Sequence, residues 1–584
     1  MLFVTVTTLS ACLFAILQSS LSFATVMDGF DYIIVGGGTA GLTVANRLTE
    51  LPDIKVAVIE AGDKVFDNPN VTTPELFTVT LGTSIDWQYE STPQTYAGGK
   101  TIACSAGKAL GGMTWVRGEK SQIDAWGAIG NKGWSWDELL PYYKKSENFT
   151  VPSAAQLEAG ASYHPSDHGE SGPLKTGYPF GLQNGSLHET VATAWGSLGM
   201  PPILDANGGH VRGFTVWQST VDRDANIRED AARAFYYPFQ DRPNLYIFLN
   251  TTANRIVWSD ASEDAVAEGV EITSSYGIVS VIRASREVII SAGSYRSPTI
   301  LELSGIGNPS ILETFGISNI VDLPSVGENL MDQPNNVLIY NSSTIFNGTT
   351  SYVAYGNTTD FDMELPSDDD LSVWAEKVAA ANDNAVNASS LEYLFKVQSD
   401  LIRYVPNAES IFSTGKTFGY PPSVIIATAF WLLMPFSRGS VHINSSDPLA
   451  YPTINPNYFT VDYDLKTQAA IAKWTRSFWM TSGMRDLATE ISPGYDILPG
   501  NATDAQYAEW VKTTFSSNSH PLGTAAMMPR ELGGVVDSSL KVYGTKNVRV
   551  VDASVMPFQM SGHLTATIYA IAEKAADLIK ADIK

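Results

Sequence analysis

A chain of 584 residues is too long for one ordinary hydrophobic core, so we expect at least two domains or one large composite unit. Hydrophobic residues make up 44% and charged residues 17% of the sequence, which argues against a disordered chain. The net charge of −24 and the pI of about 4.6 argue against nucleic acid and anionic membranes as partners, because both would repel an acidic surface.

The first 24 residues form a distinct apolar segment without Lys or Arg, and Ser22 and Ala24 supply small residues for cleavage after Ala24. We interpret residues 1–24 as a secretory signal peptide. The alternative is a membrane anchor, but Gln18 and the serines beside it interrupt the apolar run. No later segment has 18 consecutive apolar residues, so we expect a secreted, soluble chain with no membrane partner after cleavage.

Asparagine usage supports a secretory route, whereas cysteine usage leaves the mature chain without an internal disulfide. Cys12 leaves with the signal peptide, so Cys104 has no cysteine partner and is predicted to be a buried structural thiol. N-glycosylation sequons of the type Asn-x-Ser/Thr occur at Asn70, Asn148, Asn184, Asn250, Asn341, Asn347, Asn357, Asn387, Asn444 and Asn501.

The mature chain begins with a strand, a glycine turn and a helix. Residues 32–35 form a short apolar strand, and Leu42, Ala45 and Leu48 repeat at helical spacing on one face. Residues 55–62 give a second strand. The pattern predicts a βαβ unit at the start of the domain.

A dinucleotide-binding fingerprint lies in this unit, where Gly36, Gly38 and Gly41 form G-x-G-x-x-G. The first glycine allows the tight turn, the second lets the backbone approach a pyrophosphate, and the third lets the helix pack on the strand. The N-terminus of the helix favours an anion. Glu60, 19 residues after Gly41, is expected to accept hydrogen bonds from ribose hydroxyls. The unit alone does not separate FAD from NAD.

The remaining elements are spread along the chain. Strand-like segments cover residues 244–250, 255–258, 269–273, 278–282 and 286–293, and a last strand near residue 548 precedes a helix from residue 564 to about 583. Aromatic- and glycine-rich tracts and a polar central region separate them. We therefore expect a dinucleotide-binding domain built from discontinuous pieces, and a second domain that covers the cofactor.

Nine segments resemble the glucose–methanol–choline (GMC) oxidoreductases, and within that family fungal FAD-dependent glucose dehydrogenases and glucose oxidases. They occur in the family's order, at residues 31–42, 58–62, 107–112, 133–147, 228–238, 291–307, 322–333, 518–529 and 548–557. The resemblance implies an α/β (α+β composite) fold, with a discontinuous Rossmann-like FAD-binding domain and a substrate-binding domain that has an antiparallel sheet and covering helices. It divides the mature chain into residues 28–332, 333–434 and 435–577.

The same resemblance implies the site. The residues that would bind FAD are Gly36, Gly38, Thr39, Ala40, Gly41, Glu60, Ala61, Thr114, Ala253, Asp552 and Ala553. The residues that would line the substrate site are Trp115, Trp431 and Asn518. No metal is expected, because no cluster of His, Cys and carboxylate residues has ligand spacing.

Two histidines, His520 and His563, match the catalytic pair of the family. A neutral imidazole, with an unperturbed pKa of about 6.5, can accept an alcohol proton near neutral pH. We predict that His520 is the base and that His563 orients the alcohol oxygen or shares the proton. The helix after His563 would point its N-terminus at the flavin. The sequence thus predicts FAD-dependent oxidation of a small-molecule alcohol, with oxygen or a quinone-like compound as electron acceptor.

The sequence departs from the family pattern after Gly112, which runs straight into Met113. By comparison, about six residues of a flavin-contacting loop are missing. Three explanations stay open: a coding piece missing from the sequence, a variant with altered or lost activity, or a loop rebuilt by neighbouring residues. We favour the first, because both flanks resemble the family.

A second departure concerns the substrate. Glucose-specific members carry an Arg four residues before the first catalytic histidine and an aromatic residue immediately before it, whereas this chain has Ser516 and Ser519. Each lost charge-assisted contact to a sugar hydroxyl is worth about 1.5–3 kcal/mol. We expect an alcohol less polar than glucose, such as an intermediate of secondary metabolism. The alternatives are a lyase or cyclase with a structural FAD, and a glycoprotein without catalysis.

Overall fold

The computed structural model describes residues 25–74, 76, 79–111, 116–182, 186–260, 265–346, 348, 350–414 and 424–583. The proposed signal peptide lies outside the described residues, and so do Thr114 and Trp115.

The strands, in chain order, are β1 (Thr25–Val35), β2 (Val56–Ile59), β3 (Tyr89–Glu90), β4 (Ala103–Cys104), β5 (Glu147–Phe149), β6 (Leu174–Gly177), β7 (Gly213–Val216), β8 (Ser219–Asp222), β9 (Ile227–Arg228), β10 (Leu245–Phe248), β11 (Thr251–Trp258), β12 (Ala267–Ser274), β13 (Val279–Ile290), β14 (Ile306–Gly307), β15 (Val321–Asp322), β16 (Pro334–Ser342), β17 (Tyr352–Asn357), β18 (Pro406–Thr414), β19 (Ile425–Leu432), β20 (Ser440–His442), β21 (Thr453–Asn455), β22 (Ala488–Ser492), β23 (Ser516–Ser517) and β24 (Val548–Val550).

The helices are α1 (Thr39–Leu48), α2 (Pro69–Thr72), α3 (Lys120–Ala128), α4 (Trp136–Ser146), α5 (Ala154–Glu158), α6 (Ser186–Ser197), α7 (Ser297–Leu303), α8 (Pro309–Thr314), α9 (Asp368–Ala381), α10 (Ala388–Ile402), α11 (Asp462–Met480), α12 (Ser482–Leu487), α13 (Asp504–Thr514) and α14 (Leu564–Asp582).

The first sheet gathers strands from both ends of the chain. Its order is β10-β2-β1-β13-β12-β11, with β24 beside β13. The strands β10, β2, β1, β13 and β24 run parallel, whereas β12 and β11 are antiparallel. All four side chains of β2 are buried, as a parallel strand covered on both faces requires. The carboxyl ends of the parallel strands meet at one edge, where such sheets bind ligands.

The long strand β13 differs from its sequence-based prediction. Residues 278–282 and 286–293 were predicted as separate strands, but they form the single strand β13. The strand stays continuous because β1 pairs with it from Thr25 to Val35, with irregularities on either side of Phe30. On its other edge, β12 pairs with the beginning of β13 and β24 with its end.

The second sheet is antiparallel, in the order β22-β16-β19-β18-β17-β7, with β23 beside β16. The side chain of Asn336 in β16 bonds to Gln468 in α11 and Thr514 in α13, so this face of the sheet meets the helices. The neighbouring residue Asn335 pairs with Trp431 and projects to the opposite face. The expected architecture, a discontinuous dinucleotide-binding sheet and an antiparallel sheet with covering helices, is confirmed.

None of the helices in the described ranges is both long and apolar enough to cross a membrane. Among the same residues, no group of three or more His, Cys, Asp or Glu side chains is arranged to hold a metal ion.

Candidate active site

The glycine turn at the end of β1 has no room for side chains. Gly36 has a φ of +109°, and a Cβ atom there would lie 2.2 Å from the carbonyl oxygen of Ser291. A Cβ atom on Gly41 would lie 1.9 Å from the carbonyl oxygen of Gly36. Gly38 caps α1 without a side-chain hydrogen bond to the first turn, which contains Thr39 and Ala40. This turn is shaped to receive an anionic group.

Glu60 follows β2 directly and binds the glycine turn. Its Oε2 accepts the backbone N–H of Gly37 at 2.7 Å, and its Oε1 accepts that of Gly62 at 2.7 Å. Burial raises the pKa of Glu60, although these two hydrogen bonds oppose the shift. Each carboxylate oxygen keeps a lone pair, so a ribose hydroxyl can still donate to it.

A cavity of about 520 Å³ is lined by Ala61 and Gly62, which follow Glu60 in the chain, and by Asn250 and Thr252 among others. Ala253, the next residue in β11, is buried. The backbone N–H of Thr251 donates to the carbonyl oxygen of Glu60 at 2.9 Å, which holds the start of β11 against the end of β2. The volume is typical of a small-ligand pocket.

Asp552 lies at the same sheet edge, after β24. Its Oδ2 accepts hydrogen bonds from the N–H of Gly293 at 2.9 Å and the hydroxyl of Ser297 at 2.5 Å. Ala553 begins the short helical turn that follows. The structure therefore places Gly36 to Gly41, Glu60, Ala61, Ala253, Asp552 and Ala553 along or beside one edge. An uncapped helix, a glycine turn and an adjacent cavity fit FAD.

The segments on either side of the loop after Gly112, which we expect to be shortened, are well anchored. The N–H of Gly111 donates to the carbonyl oxygen of Gly37 at 3.3 Å. After the loop, the N–H of Arg117 donates to Oδ1 of Asn207 at 2.8 Å, and its buried guanidinium pairs with Glu147 at 2.9 Å. The loop residues 112–115, on which this expectation falls, lie outside the described part of the chain.

His520 and His563 lie side by side. Their rings lie 4.9 Å apart at 82°, an edge-to-face arrangement. The pKa of His520 is lowered well below its usual value, chiefly because most of this half-buried residue is shielded from water and also because His563 lies beside it. His520 is therefore neutral at neutral pH.

The loop that carries His520 is bound to the end of the second sheet. The backbone N–H of His520 donates to Oδ1 of the buried Asp332 at 2.9 Å, and Oδ2 of Asp332 accepts hydrogen bonds from the hydroxyls of Ser517 and Tyr458. Ser519 has a φ of +57°, which turns the chain sharply before His520. Asn518 lies beside the imidazole, with its Nδ2 3.0 Å from Nδ1.

The residues around His563 come from the antiparallel sheet. Its Nε2 lies 3.1 Å from Oε1 of Glu409, which also accepts the hydroxyl of Tyr355 at 3.2 Å. The rings of Trp217 and Trp431 pack against His563 at 4.8 and 6.0 Å. Glu409 in β18 and Trp431 in β19 are cross-strand partners, which puts both on the face toward His563.

Sequence reasoning missed Glu409, Gln333 and Trp217. Gln333 ends one of the segments that resemble the GMC family, yet nothing in its local pattern indicates a contact with His520. A sequence pattern could have indicated Glu409, because it is the only charged residue in β18. The other side chains of this strand are uncharged and nearly all buried. A fully buried carboxylate needs a partner, and here the partner is a histidine 154 positions away.

Comparisons with known proteins agree with this geometry. The chain matches the family described as GMC oxidoreductase in two regions, residues 30–335 and 435–572. It is 44% identical over 576 residues to the "Glucose oxidase-like protein fsoC" of Humicola fuscoatra, covering 96% of this chain and 97% of that one. It is 35% identical over 585 residues to a glucose oxidase of Penicillium chrysogenum, covering 96% and 94%.

Solved structures show the same fold. An FAD-dependent oxidoreductase from Chaetomium thermophilum superposes with a TM-score of 0.85 at 30% identity, over 95% of this chain and 100% of that one. A fungal aryl-alcohol oxidase gives 0.84 at 29% identity, over 95% and 100%. The chain therefore belongs to the GMC oxidoreductase family and is an FAD-dependent oxidoreductase that acts on CH–OH donors.

Proposed function

We propose that this protein is a secreted oxidoreductase that converts a neutral alcohol to a carbonyl compound, with His520 as the base. The observation that carries the proposal is the histidine pair, whose rings lie 4.9 Å apart in an edge-to-face arrangement. A base must be unprotonated to act, and the lowered pKa of His520 meets that requirement at neutral pH.

The chain's own residues account for the proton. Oxidation of an alcohol removes one proton from the hydroxyl and one hydride from the carbinol carbon. FAD, when bound, supplies the hydride acceptor. His520 takes the hydroxyl proton, and His563, held by Glu409, fixes the alcohol oxygen so that the C–H bond keeps one orientation. Asp332 keeps the backbone of His520 in place.

The substrate we propose is less polar than glucose. Ser516 occupies the position where glucose-specific members carry Arg, and it lies exposed at the start of β23. Trp217 and Trp431 supply an aromatic wall next to His563. These rings offer apolar contacts to an alcohol with an apolar or aromatic body, so the lower polarity of the proposed substrate rests on the missing Arg. The structural similarity to an aryl-alcohol oxidase supports this choice.

Secretion rests on the proposed signal peptide and on the sequons. Six of them lie on exposed asparagines, namely Asn70, Asn250, Asn341, Asn387, Asn444 and Asn501. Cys104 is a buried free thiol, and burial raises its pKa to about 12, so it is a poor nucleophile. Expression with residues 1–24 in place tests the proposed secretion. We expect the protein to appear in the medium and to lose mass on deglycosylation. Protein that stays inside the cells would contradict secretion.

The catalytic proposal is tested by mixing the purified protein with benzyl alcohol and other alcohols without oxygen. We expect the visible flavin absorption to bleach, and His520→Ala to abolish bleaching while FAD stays bound. His164→Ala, on the surface, is the matched control and should bleach like the parent protein. Flavin that stays oxidised with every alcohol would favour a lyase or cyclase, and a colourless protein would favour a non-catalytic glycoprotein.

A further inference from the structure

Gln333 contacts the His520 loop through its side chain and its backbone. Its Oε1 lies 2.8 Å from Nδ1 of His520 and accepts a hydrogen bond from Nδ2 of Asn518 at 3.0 Å. Its carbonyl oxygen accepts the N–H of Asn518 at 2.9 Å. The side chain is fully buried, so the surrounding packing holds it in one position.

The orientation of the Gln333 amide is fixed by acceptors on its other side. Its Nε2 donates to the carbonyl oxygen of Leu433 at 2.9 Å and also approaches the carbonyl oxygen of Met560 and Oε1 of Gln559, each at 3.4 Å. Rotating the amide by 180° would place Oε1 against oxygen atoms and lose these bonds. Oε1 therefore faces His520.

An oxygen fixed 2.8 Å from Nδ1 decides which nitrogen of His520 carries the proton. Oε1 of Gln333 can only accept, so Nδ1 must donate to it. The other tautomer, with a lone pair on Nδ1, would bring that lone pair against Oε1. Nδ2 of Asn518 also lies 3.0 Å from Nδ1, but it donates to Oε1 of Gln333, so that oxygen accepts from both groups and the shorter contact of Nδ1 is the one with Oε1. The proton therefore sits on Nδ1, and the lone pair of Nε2 is left free to take a proton.

We propose that Gln333 is a positioning residue that holds His520 in the Nδ1–H tautomer, so that Nε2 acts as the base in the proposed alcohol oxidation. The inference rests on the function proposed above for His520, but it concerns the protonation of the ring and can be measured separately. Gln333 touches neither alcohol nor cofactor in this role. It acts through His520 alone.

Two variants of Gln333 separate this role from a packing role. Gln333→Met keeps the volume and removes the acceptor, and the reduction rate at saturating alcohol should fall about 10- to 100-fold with little change in alcohol affinity. Gln333→Glu brings a carboxylate to Nδ1, which stabilises the imidazolium. The acid limb of the pH–rate profile should then move up by about one pH unit or more.

The matched control is Gln468→Met. Gln468 is also a fully buried glutamine of the antiparallel-sheet domain, where it bonds to the N–H of Leu432 and to Asn336. Its replacement should lower the unfolding temperature but leave the acid limb unmoved. Equal rates in Gln333→Met and Gln468→Met, or an unmoved acid limb in Gln333→Glu, would overturn the proposal.

A direct measurement of the tautomer needs no alcohol. The chain has 7 histidines, few enough for their side-chain nitrogens to be resolved by NMR after ¹⁵N-histidine labelling. We expect the His520 signal, identified by its loss in His520→Asn, to show the proton on Nδ1 in the holoenzyme and a mixed or reversed tautomer in Gln333→Met. A parent protein with the proton on Nε2 would overturn the inference, even if alcohol oxidation is confirmed. The expected tautomer without any flavin reduction would leave the inference standing and contradict the proposed function.

Discussion

Oε1 of Glu409 lies 3.1 Å from Nε2 of His563, and both groups are buried. The second oxygen of this carboxylate has no hydrogen-bond partner among the described residues. A buried carboxylate with one free oxygen is costly, so its retention here indicates that the contact with His563 matters. The pair connects the antiparallel sheet to the start of α14, and thus the substrate wall to the cofactor-binding domain.

Glu409→Gln tests that contact. The amide keeps an acceptor for Nε2 of His563 but removes the charge that holds the ring in one orientation. We expect flavin reduction by benzyl alcohol to slow about tenfold, because a charge-assisted hydrogen bond is roughly twice as strong as a neutral one. Stopped-flow absorbance measures the rate, and bound FAD confirms folding. A rate equal to that of the parent protein would show that the charge has no role.

Glu60→Ala should weaken FAD binding. The carboxylate holds Gly37 and Gly62 by two hydrogen bonds of 2.7 Å and is proposed to accept the ribose hydroxyls as well. Losing one hydrogen bond to a charged group costs about 1.5–3 kcal/mol, so affinity should fall about tenfold or more. Release of FAD on dilution, followed by flavin fluorescence, measures the change. The exposed Glu90→Ala is the control, and equal FAD release in both variants would argue against the role of Glu60.

Ser516→Arg tests the substrate class. The residue pairs with Asn335 at the edge of the antiparallel sheet, four positions before His520. If the missing Arg limits sugar binding, the variant should gain about tenfold or more in kcat/KM with glucose, from one charge-assisted contact. Ser516→Met, of similar length but uncharged, is the control and should show no gain. No gain with Arg would mean that other residues of the pocket also exclude glucose.

How much of the structure could be predicted from the sequence depends on how far apart along the chain the contacting residues lie. The βαβ unit was predictable, because the glycine turn, the periodicity of α1 and Glu60 all lie within about 30 residues. The merging of two predicted strands into β13 was not, since it depends on pairing with β1, more than 200 residues earlier. Gln333 and His520 are 187 positions apart. Only the register of the antiparallel sheet brings such pairs together, and no local pattern encodes it.

Two further histidines, the buried His168 and the half-buried His442, make the stability of the fold sensitive to alkaline pH. Burial alone would lower the pKa of His168, but its hydrogen bonds to Asp205 and Glu147 raise it to about 9. The corresponding bonds of His442 to Glu302 and Glu328 raise the pKa of that residue to about 10 against the same effect of burial.

A pKa raised in the folded state means that folding favours the protonated form, so the contribution to stability is complete below about pH 6.5 and is lost as the pH rises through 9 to 10. We expect the unfolding temperature, measured by tryptophan fluorescence, to fall between pH 7.5 and 10. In His168→Gln it should be lower at pH 7.5 but fall less steeply, because one of the two titrating groups is gone. Parallel curves for the two proteins would show that His168 is not protonated in the folded state.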